Sequence, residues 1–158
     1  MSLDPSALRA QIEATLTPLG LYSADAEELL MATCAQESLL GTYRSQVGGP
    51  ARGIFQMEPE DHDDIWTNFL AYHLDLSAAI RALSGQLSPT AEDLVNNDAY
   101  AAAMARVHYE RAPGALPDAM DLNALWQYYK AHFNTPAGAA TQQQFYSHYH
   151  NLVKGDAR

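Results

Sequence analysis

The sequence is poor in the residues that several classes of protein need. Its 158 residues include one cysteine, so no disulfide can form within the chain and its stability must come from packing. Lysine and arginine number 9 against 19 acidic residues, which gives a formal net charge of −10. We therefore expect no binding to nucleic acid or to an anionic membrane surface, because both need a basic protein surface. The same charge opposes approach to an anionic cell wall.

Long apolar runs are also missing, so we expect no insertion into a membrane. The segment from Met1 to Pro5 lacks the basic and apolar regions of a signal peptide. We expect a protein made in the cytoplasm that either acts there or is exported or released by another system. The chain shows no internal repeat or linker, and 47% of its residues are hydrophobic. This composition predicts one globular domain over residues 1–158.

Apolar residues recur with helical spacing along most of the chain, and no convincing strand pattern occurs. The spacing predicts an all-α domain of six to seven helices. The predicted helices cover about residues 5–17, 23–40, 61–83, 99–110 and 121–134, with capping boxes at Thr90 and Thr141 opening further helical stretches. Asn96 and Asn97 mark a break or a new cap before the fourth of these helices.

Glu37 is an acid at an apolar position of the second predicted helix. With Ser23 as the N-cap, one helix face is shared by Ala26, Leu30, Thr33 and Glu37, which fall within about 40° of one another. Burial raises the pKa of a carboxylic acid, and an acid kept protonated near neutral pH can protonate a leaving-group oxygen. Glu37 is therefore a candidate general acid. The simpler interpretation is that an acid near a helix end turns outward into water.

A glycine-rich loop follows, from Thr42 to about Asp61. Its glycines allow the backbone to approach an extended substrate closely, although glycines in a loop often make turns only. Gln56 offers both a hydrogen-bond donor and an acceptor at the end of a Gly-Ile-Phe-Gln turn. The loop is therefore a candidate substrate loop.

The segment from Glu37 to Pro59 resembles the catalytic region of the lysozyme-like superfamily, especially soluble lytic transglycosylases and goose-type lysozymes. The matching residues are Glu37-Ser38, Ser45 and Gly53-Ile54-Phe55-Gln56, followed by Met57 and Pro59. The resemblance implies a lysozyme-like fold in which Glu37 is the catalytic acid or base. It also implies that Ser45 orients the acid and that residues Gly53, Ile54, Phe55 and Gln56 bind the sugar.

A second motif, His108-Tyr109-Glu110-Arg111-Ala112-Pro113-Gly114, is similar to the family's Ala-Tyr-Asn-Ala-Gly-Pro-Gly. It implies that the hydroxyl of Tyr109 lies near the acid and contributes to substrate binding. Glu110 stands in place of the usual asparagine, and Arg111-Ala112 in place of Ala-Gly. The motif-bearing core covers about residues 23–117. The general style of the sequence also resembles cell-wall enzymes of bacteriophages or prophages.

The resemblance implies a peptidoglycan-degrading glycosidase that cleaves the β-1,4 bond between N-acetylmuramic acid and N-acetylglucosamine, without a metal or another cofactor. A hydrolase needs a second carboxylate, whereas a lytic transglycosylase of this superfamily needs one acid only. Five acids at the start of the third predicted helix are candidates, although the helix dipole alone favours acids there: Glu58, Glu60, Asp61, Asp63 and Asp64. The sequence leaves the choice open.

The expected partners are glycan strands, and the protein is expected to be a monomer or part of a phage particle that reaches the wall by phage lysis, virion delivery or an unseen export route. Two alternatives remain. One is a non-catalytic glycan-binding or phage structural module on a lysozyme-like scaffold, which the acidic charge and the altered motif at Glu110 favour. The other is a helical protein–protein interaction domain, which requires an exposed Glu37. A metal site at His62 is not favoured, because no second histidine shares its helix face.

Overall fold

In the computed structural model, which describes residues 1–134 and 138–154, polar side chains cap the helices where the sequence predicts. Ser23, Asn97 and Asp121 each accept a hydrogen bond from a main-chain N–H of the following turn, at 2.9–3.0 Å. Thr90 and Thr141 both form complete capping boxes. These contacts satisfy N–H groups that a helix start would otherwise leave unpaired. The predicted caps are therefore confirmed.

The described ranges form an all-α domain with seven α-helices and no strand, which confirms the predicted class and helix number. The α-helices are α1 (Pro5–Leu16), α2 (Ala24–Ser38), α3 (Pro59–Asn68), α4 (Leu74–Ser84), α5 (Asp98–Glu110), α6 (Leu122–Tyr129) and α7 (Gln142–His148). Short 3-10 turns cover Leu70–Tyr72 and Ala91–Leu94, and π-helical turns continue α6 and α7 over Lys130–Asn134 and Tyr149–Val153. No helix within the described ranges has the length and apolarity needed to cross a bilayer.

Helix α2 lies at the centre of the fold and contacts α1, α5, α6 and α7. Its residues from Leu29 to Ala35 are all buried. Helix α5 is almost as buried, and its alanines allow close packing against its neighbours, as its composition predicts. The end of α2 is therefore held from several sides, which fixes the position of Glu37.

The prediction of a single helix over residues 61–83 is wrong, because the helix is interrupted between α3 and α4. At the break, the Nδ1 atom of His73 donates a 2.7 Å hydrogen bond to the carbonyl of Phe69, and the two rings stack with centroids 4.1 Å apart. The same carbonyl also accepts the main-chain N–H of Tyr72 at 3.0 Å, and the N–H of His73 pairs with Leu70, so this turn has 3-10 pairing where a continuous α-helix would pair Phe69 with His73. Helical spacing over residues 61–83 predicts that Tyr72 is buried with Ile65, Phe69, Leu76 and Ile80, but Tyr72 is 77% exposed. The predicted end of the aromatic helix agrees at Asn134, while Thr135 and Pro136 lie outside the described residues.

The loop between α2 and α3 is compact although it contains no strand. Arg52 forms isolated antiparallel bridges with Ser45 and Met57. Gly53 has φ +79°, and a Cβ atom built on it would lie 2.6 Å from the carbonyl oxygen of Leu94. The glycine thus permits both the left-handed backbone and the close packing of the loop against the 3-10 turn.

We predict that Gly53→Ala lowers the free energy of unfolding by about 3 kcal/mol, because the methyl group meets a main-chain oxygen and the backbone is left-handed. Gly85→Ala is the matched control, since Gly85 has φ +73° but no atom within 4 Å of its built Cβ. The control should lose about 1 kcal/mol. Chemical denaturation of both variants measures the difference, and equal losses would contradict the packing role of Gly53.

Candidate functional site

Glu37 is the penultimate residue of α2 and continues the face formed by Ala26, Leu30 and Thr33, all of which are fully buried. Its own side chain is partly buried, so the face that the sequence predicts is confirmed. Burial raises the pKa of Glu37 to about 7, and a hydrogen bond donated by the hydroxyl of Tyr129 offsets this only in part. Near neutral pH, Glu37 therefore exchanges between the acid and the carboxylate, which is the requirement for a general acid.

Two adjoining cavities meet at Glu37 and Gln56. The inner cavity, of about 110 Å³, is lined by Glu37, Gln56, Met57, Glu58, Asp61, His108, Phe133 and Asn134. The outer pocket, of about 310 Å³, is lined by Glu37, Tyr43, Gln46, Val47 and Gln56. Because Glu37 lines both, a molecule that extends from one cavity into the other passes the acid.

The hydroxyl of Ser38 holds the end of α2 against the loop. It donates a 2.6 Å hydrogen bond to the carbonyl of Ile54 and accepts a 2.8 Å hydrogen bond from the N–H of Gly41. Ser38 is completely buried, so these bonds are shielded from water. The residue next to the acid thus fixes the loop that carries Gln56.

Left-handed backbone at residues other than glycine is concentrated around this site. Within the described ranges, the non-glycine residues with positive φ are Leu39, Leu40 and Gln56, at 51°, 54° and 50°. Such conformations cost about 1–3 kcal/mol each and persist only where the surroundings impose them. Here the first two follow Ser38, the residue after the acid, and the third lines both cavities. The strain therefore lies where the loop turns over the acid.

Gln56, which the sequence predicts to bind the sugar, lines both cavities beside Glu37. Its Nε2 atom donates a 2.8 Å hydrogen bond to the carbonyl of Gly53, which orients the side-chain amide. The side chains of Ile54 and Phe55 instead lie in the core, with exposures of 0% and 1%. These exposures cover the main chain as well, so neither residue is open to a ligand, and the carbonyl of Ile54 is paired with Ser38. Gly53 supports the loop through its packing against Leu94.

Ser45, predicted to orient the acid, lies on the exposed side of the loop. Among the described residues its side chain forms no hydrogen bond, and it lines neither cavity. Tyr109 is fully buried, and its hydroxyl donates a 2.8 Å hydrogen bond to Thr33, whose own hydroxyl donates to the carbonyl of Leu29. The geometry thus brings Glu37 and Gln56 together but leaves Ser45 and the side chain of Tyr109 out of both cavities.

The hydroxyl that hydrogen-bonds to Glu37 is that of Tyr129, whereas Tyr109 lies close enough for the charge of Glu37 to contribute to its raised pKa. Tyr129 lies at the end of α6 and is fully buried. The motif resemblance does not predict this role. A signal was present, because a tyrosine hydroxyl on the buried face of a helix needs a hydrogen-bond partner, and Glu37 needs one for the same reason.

His108 adds a neutral imidazole to the inner cavity. Its Nε2 atom donates a 2.9 Å hydrogen bond to the carbonyl of His132, and burial lowers its pKa. The Nδ1 atom is therefore unprotonated, and it has no hydrogen-bond partner among the described residues. Within those residues, no group of three or more histidine, cysteine or acidic side chains is arranged to hold a metal ion.

We predict that Tyr129→Phe raises the pKa of Glu37 further, because the variant removes a hydrogen bond that stabilises the carboxylate. A titration of the Glu37 side-chain carbonyl by NMR measures this change. Tyr128→Phe is the control, since its buried hydroxyl has no partner among the described residues. An unchanged pKa in Tyr129→Phe would show that the contact does not stabilise the ionised acid.

The free energy of unfolding should also report the raised pKa of Glu37. The folded chain binds this proton more tightly than the unfolded chain, where a pKa near 4.5 is usual. The resulting stability is present below about pH 4.5 and is lost as the pH rises through about 7, by about 3 kcal/mol in total. Glu37→Gln should lack this loss when both proteins are denatured at about pH 5 and pH 8. Parallel pH dependences would contradict burial of the acid.

No model of a known protein family matches this chain, and no curated protein or solved structure matches it either. What the chain does is therefore inferred from its own residues and their geometry.

Proposed function

We propose that the chain is a peptidoglycan-degrading glycosidase with a lysozyme-like fold, which cleaves the β-1,4 bond between N-acetylmuramic acid and N-acetylglucosamine. The observation that carries the proposal is a partly buried acid, Glu37, with a pKa of about 7 at the junction of two cavities. The all-α architecture and the motif resemblance around Glu37 support the same function. Gln56, which also lines both cavities, is the best-placed residue to bind the sugar.

Glu37 would act as the general acid. Its carboxylic acid proton moves to the glycosidic oxygen as the bond between that oxygen and C1 of the sugar breaks. The positive charge that develops at C1 and the ring oxygen is stabilised by nearby dipoles and carboxylates. The hydroxyl of Tyr129 donates to the carboxylate that remains, so the product state of the proton transfer is already hydrogen-bonded.

The second half of the reaction depends on whether another carboxylate takes part. Glu58 and Asp61 line the inner cavity together with Glu37, and both are exposed to solvent. Either carboxylate could remove a proton from a water molecule that attacks C1, so that one water is consumed and a reducing end forms. Their placement favours a muramidase over a lytic transglycosylase. In the transglycosylase the 6-hydroxyl of the sugar attacks instead, and an anhydro sugar forms.

The alternative is a non-catalytic glycan-binding or phage structural module. It is favoured by the net charge of −10 and by the altered second motif. In that motif Glu110 pairs with Arg106 at 3.1 Å and Arg111 pairs with Asp64 at 2.7 Å. These residues therefore serve ion pairs on the protein itself, and the sugar site must be built from others. The expected partners under either proposal are glycan strands, reached by phage lysis, virion delivery or another export route.

We predict that purified protein releases soluble muropeptides from sacculi at neutral pH. Glu37→Gln should abolish this release, because an amide N–H is too weak an acid to protonate the glycosidic oxygen. Glu13→Gln, at an exposed acid of α1, is the matched control and should retain full activity. Mass spectrometry of the products provides the measurement. Wild-type turnover by Glu37→Gln would refute the assignment, and absence of products from the wild type at low and high salt would favour the binding module.

The same spectra separate the two reactions. Reducing-end muropeptides, lost in Glu58→Gln or in Asp61→Asn, would identify a hydrolase and its second carboxylate. Anhydro-muropeptides that persist in both variants would identify a lytic transglycosylase in which Glu37 acts alone.

A further inference from the structure

The outer pocket has a different chemistry from the inner cavity, although both share Glu37 and Gln56. We infer that the outer pocket binds the leaving-group sugar, a neutral N-acetylglucosamine on the reducing-end side of the scissile bond, with the ring of Tyr43 against its apolar face. The inference rests on the proposed function, and it assigns both a binding residue and the direction in which the glycan strand lies across the site.

The position of Glu37 marks the glycosidic bond at which the bound glycan strand is cleaved. A glycosidic oxygen that receives a proton from Glu37 carries one sugar on each side. Since Glu37 lines both cavities, one of these sugars lies in each cavity. Gln56 lies at the same junction and can hydrogen-bond to either sugar.

The second carboxylate sets the direction. The carbon that is attacked, C1, belongs to the sugar on the non-reducing side, and a base for the attacking water must lie beside that sugar. Glu58 and Asp61 line the inner cavity only. The sugar that is attacked therefore occupies the inner cavity, and the leaving-group sugar occupies the outer pocket.

The lining of the outer pocket fits an uncharged sugar. Tyr43 is 46% exposed and Val47 is 86% exposed, although both are large apolar residues. Aromatic rings bind flat apolar surfaces such as the C–H face of a hexosamine. Apart from Glu37, no charged residue of the described ranges lines this pocket. The face that these residues leave open to water is thus suited to N-acetylglucosamine.

Gln46 gives the pocket a fixed polar group. Its Oε1 atom accepts a 3.2 Å hydrogen bond from the N–H of Ala51 across the turn. Gly49 leaves room for this side chain, since a Cβ built there would lie 2.3 Å from its amide. The loop therefore orients the Nε2 amide group of Gln46, which can donate to a sugar hydroxyl or to an acetamido oxygen.

Binding of the tetramer of β-1,4-linked N-acetylglucosamine to Glu37→Gln, which prevents turnover, tests the binding residue. Adding Tyr43→Ala should raise the dissociation constant about fivefold, because the stacking surface is lost. Tyr43→Phe keeps the ring and should bind within a factor of about two. Tyr72→Ala is the control, since Tyr72 is an exposed tyrosine that lines neither cavity. An unchanged constant in Tyr43→Ala, or no binding by the parent, would overturn the inference.

A tetramer with a nitroxide label at its reducing end tests the direction. Bound to Glu37→Gln, it should broaden the amide resonances of Tyr43, Gln46 and Val47 more than those of Phe133 and Asn134. The reverse pattern would overturn the assignment of the leaving-group sugar. Failure of the proposed function has a different signature, because wild-type protein would then release no product from sacculi whatever the labelled tetramer shows.

Discussion

The hydroxyl of Ser38 joins the two parts of the molecule on which the candidate site depends. It donates a hydrogen bond from the last turn of α2 to the carbonyl of Ile54. It also accepts a hydrogen bond from the N–H of Gly41, which follows the left-handed residues Leu39 and Leu40. A buried hydroxyl that both donates and accepts is costly to replace, because each partner would lose its only compensation for leaving water. The loop is therefore held in a fixed position relative to Glu37. Leu39 and Leu40 keep their strained left-handed conformation because the hydrogen bonds of Ser38 and the burial of Leu40 in the core prevent the backbone from relaxing.

The pKa of Glu37 depends on its burial and on the hydrogen bond from Tyr129. Burial pushes the pKa of the acid upward, and the tyrosine limits this rise by stabilising the charged form. The result lies near neutrality, where an acid can both hold and release a proton. The neutral imidazole of His108 and the two exposed carboxylates of Glu58 and Asp61, which also line the inner cavity, give that site acceptors and negative charge. The outer pocket, by contrast, offers mainly a ring and an amide.

Much of the fold follows from local patterns. The caps at Ser23, Asn97 and Asp121 are short-range, and the face of α2 repeats regularly enough to predict the burial that Glu37 experiences. The break between α3 and α4 lies in the non-helical backbone of Phe69 and His73, which periodicity does not encode. Which residues of the Gly-Ile-Phe-Gln turn face the cavity depends on packing against Leu94, and the partner of Glu37 lies 92 residues away. Contacts of this range are fixed by tertiary structure and have no local signature.

The place of Tyr129 in the chain sets a limit on how this protein can be divided. Residues 23–117 contain every position that the motif resemblance matches, yet the hydroxyl beside Glu37 and two walls of the inner cavity, Phe133 and Asn134, come later. A fragment cut at the motif boundaries would keep the acid and open it to water, so its pKa would fall back toward that of an ordinary glutamate. The range recognisable by sequence is thus smaller than the range that builds the candidate site. Transfer of this site to another protein would have to include the later residues, up to Asn134, as well.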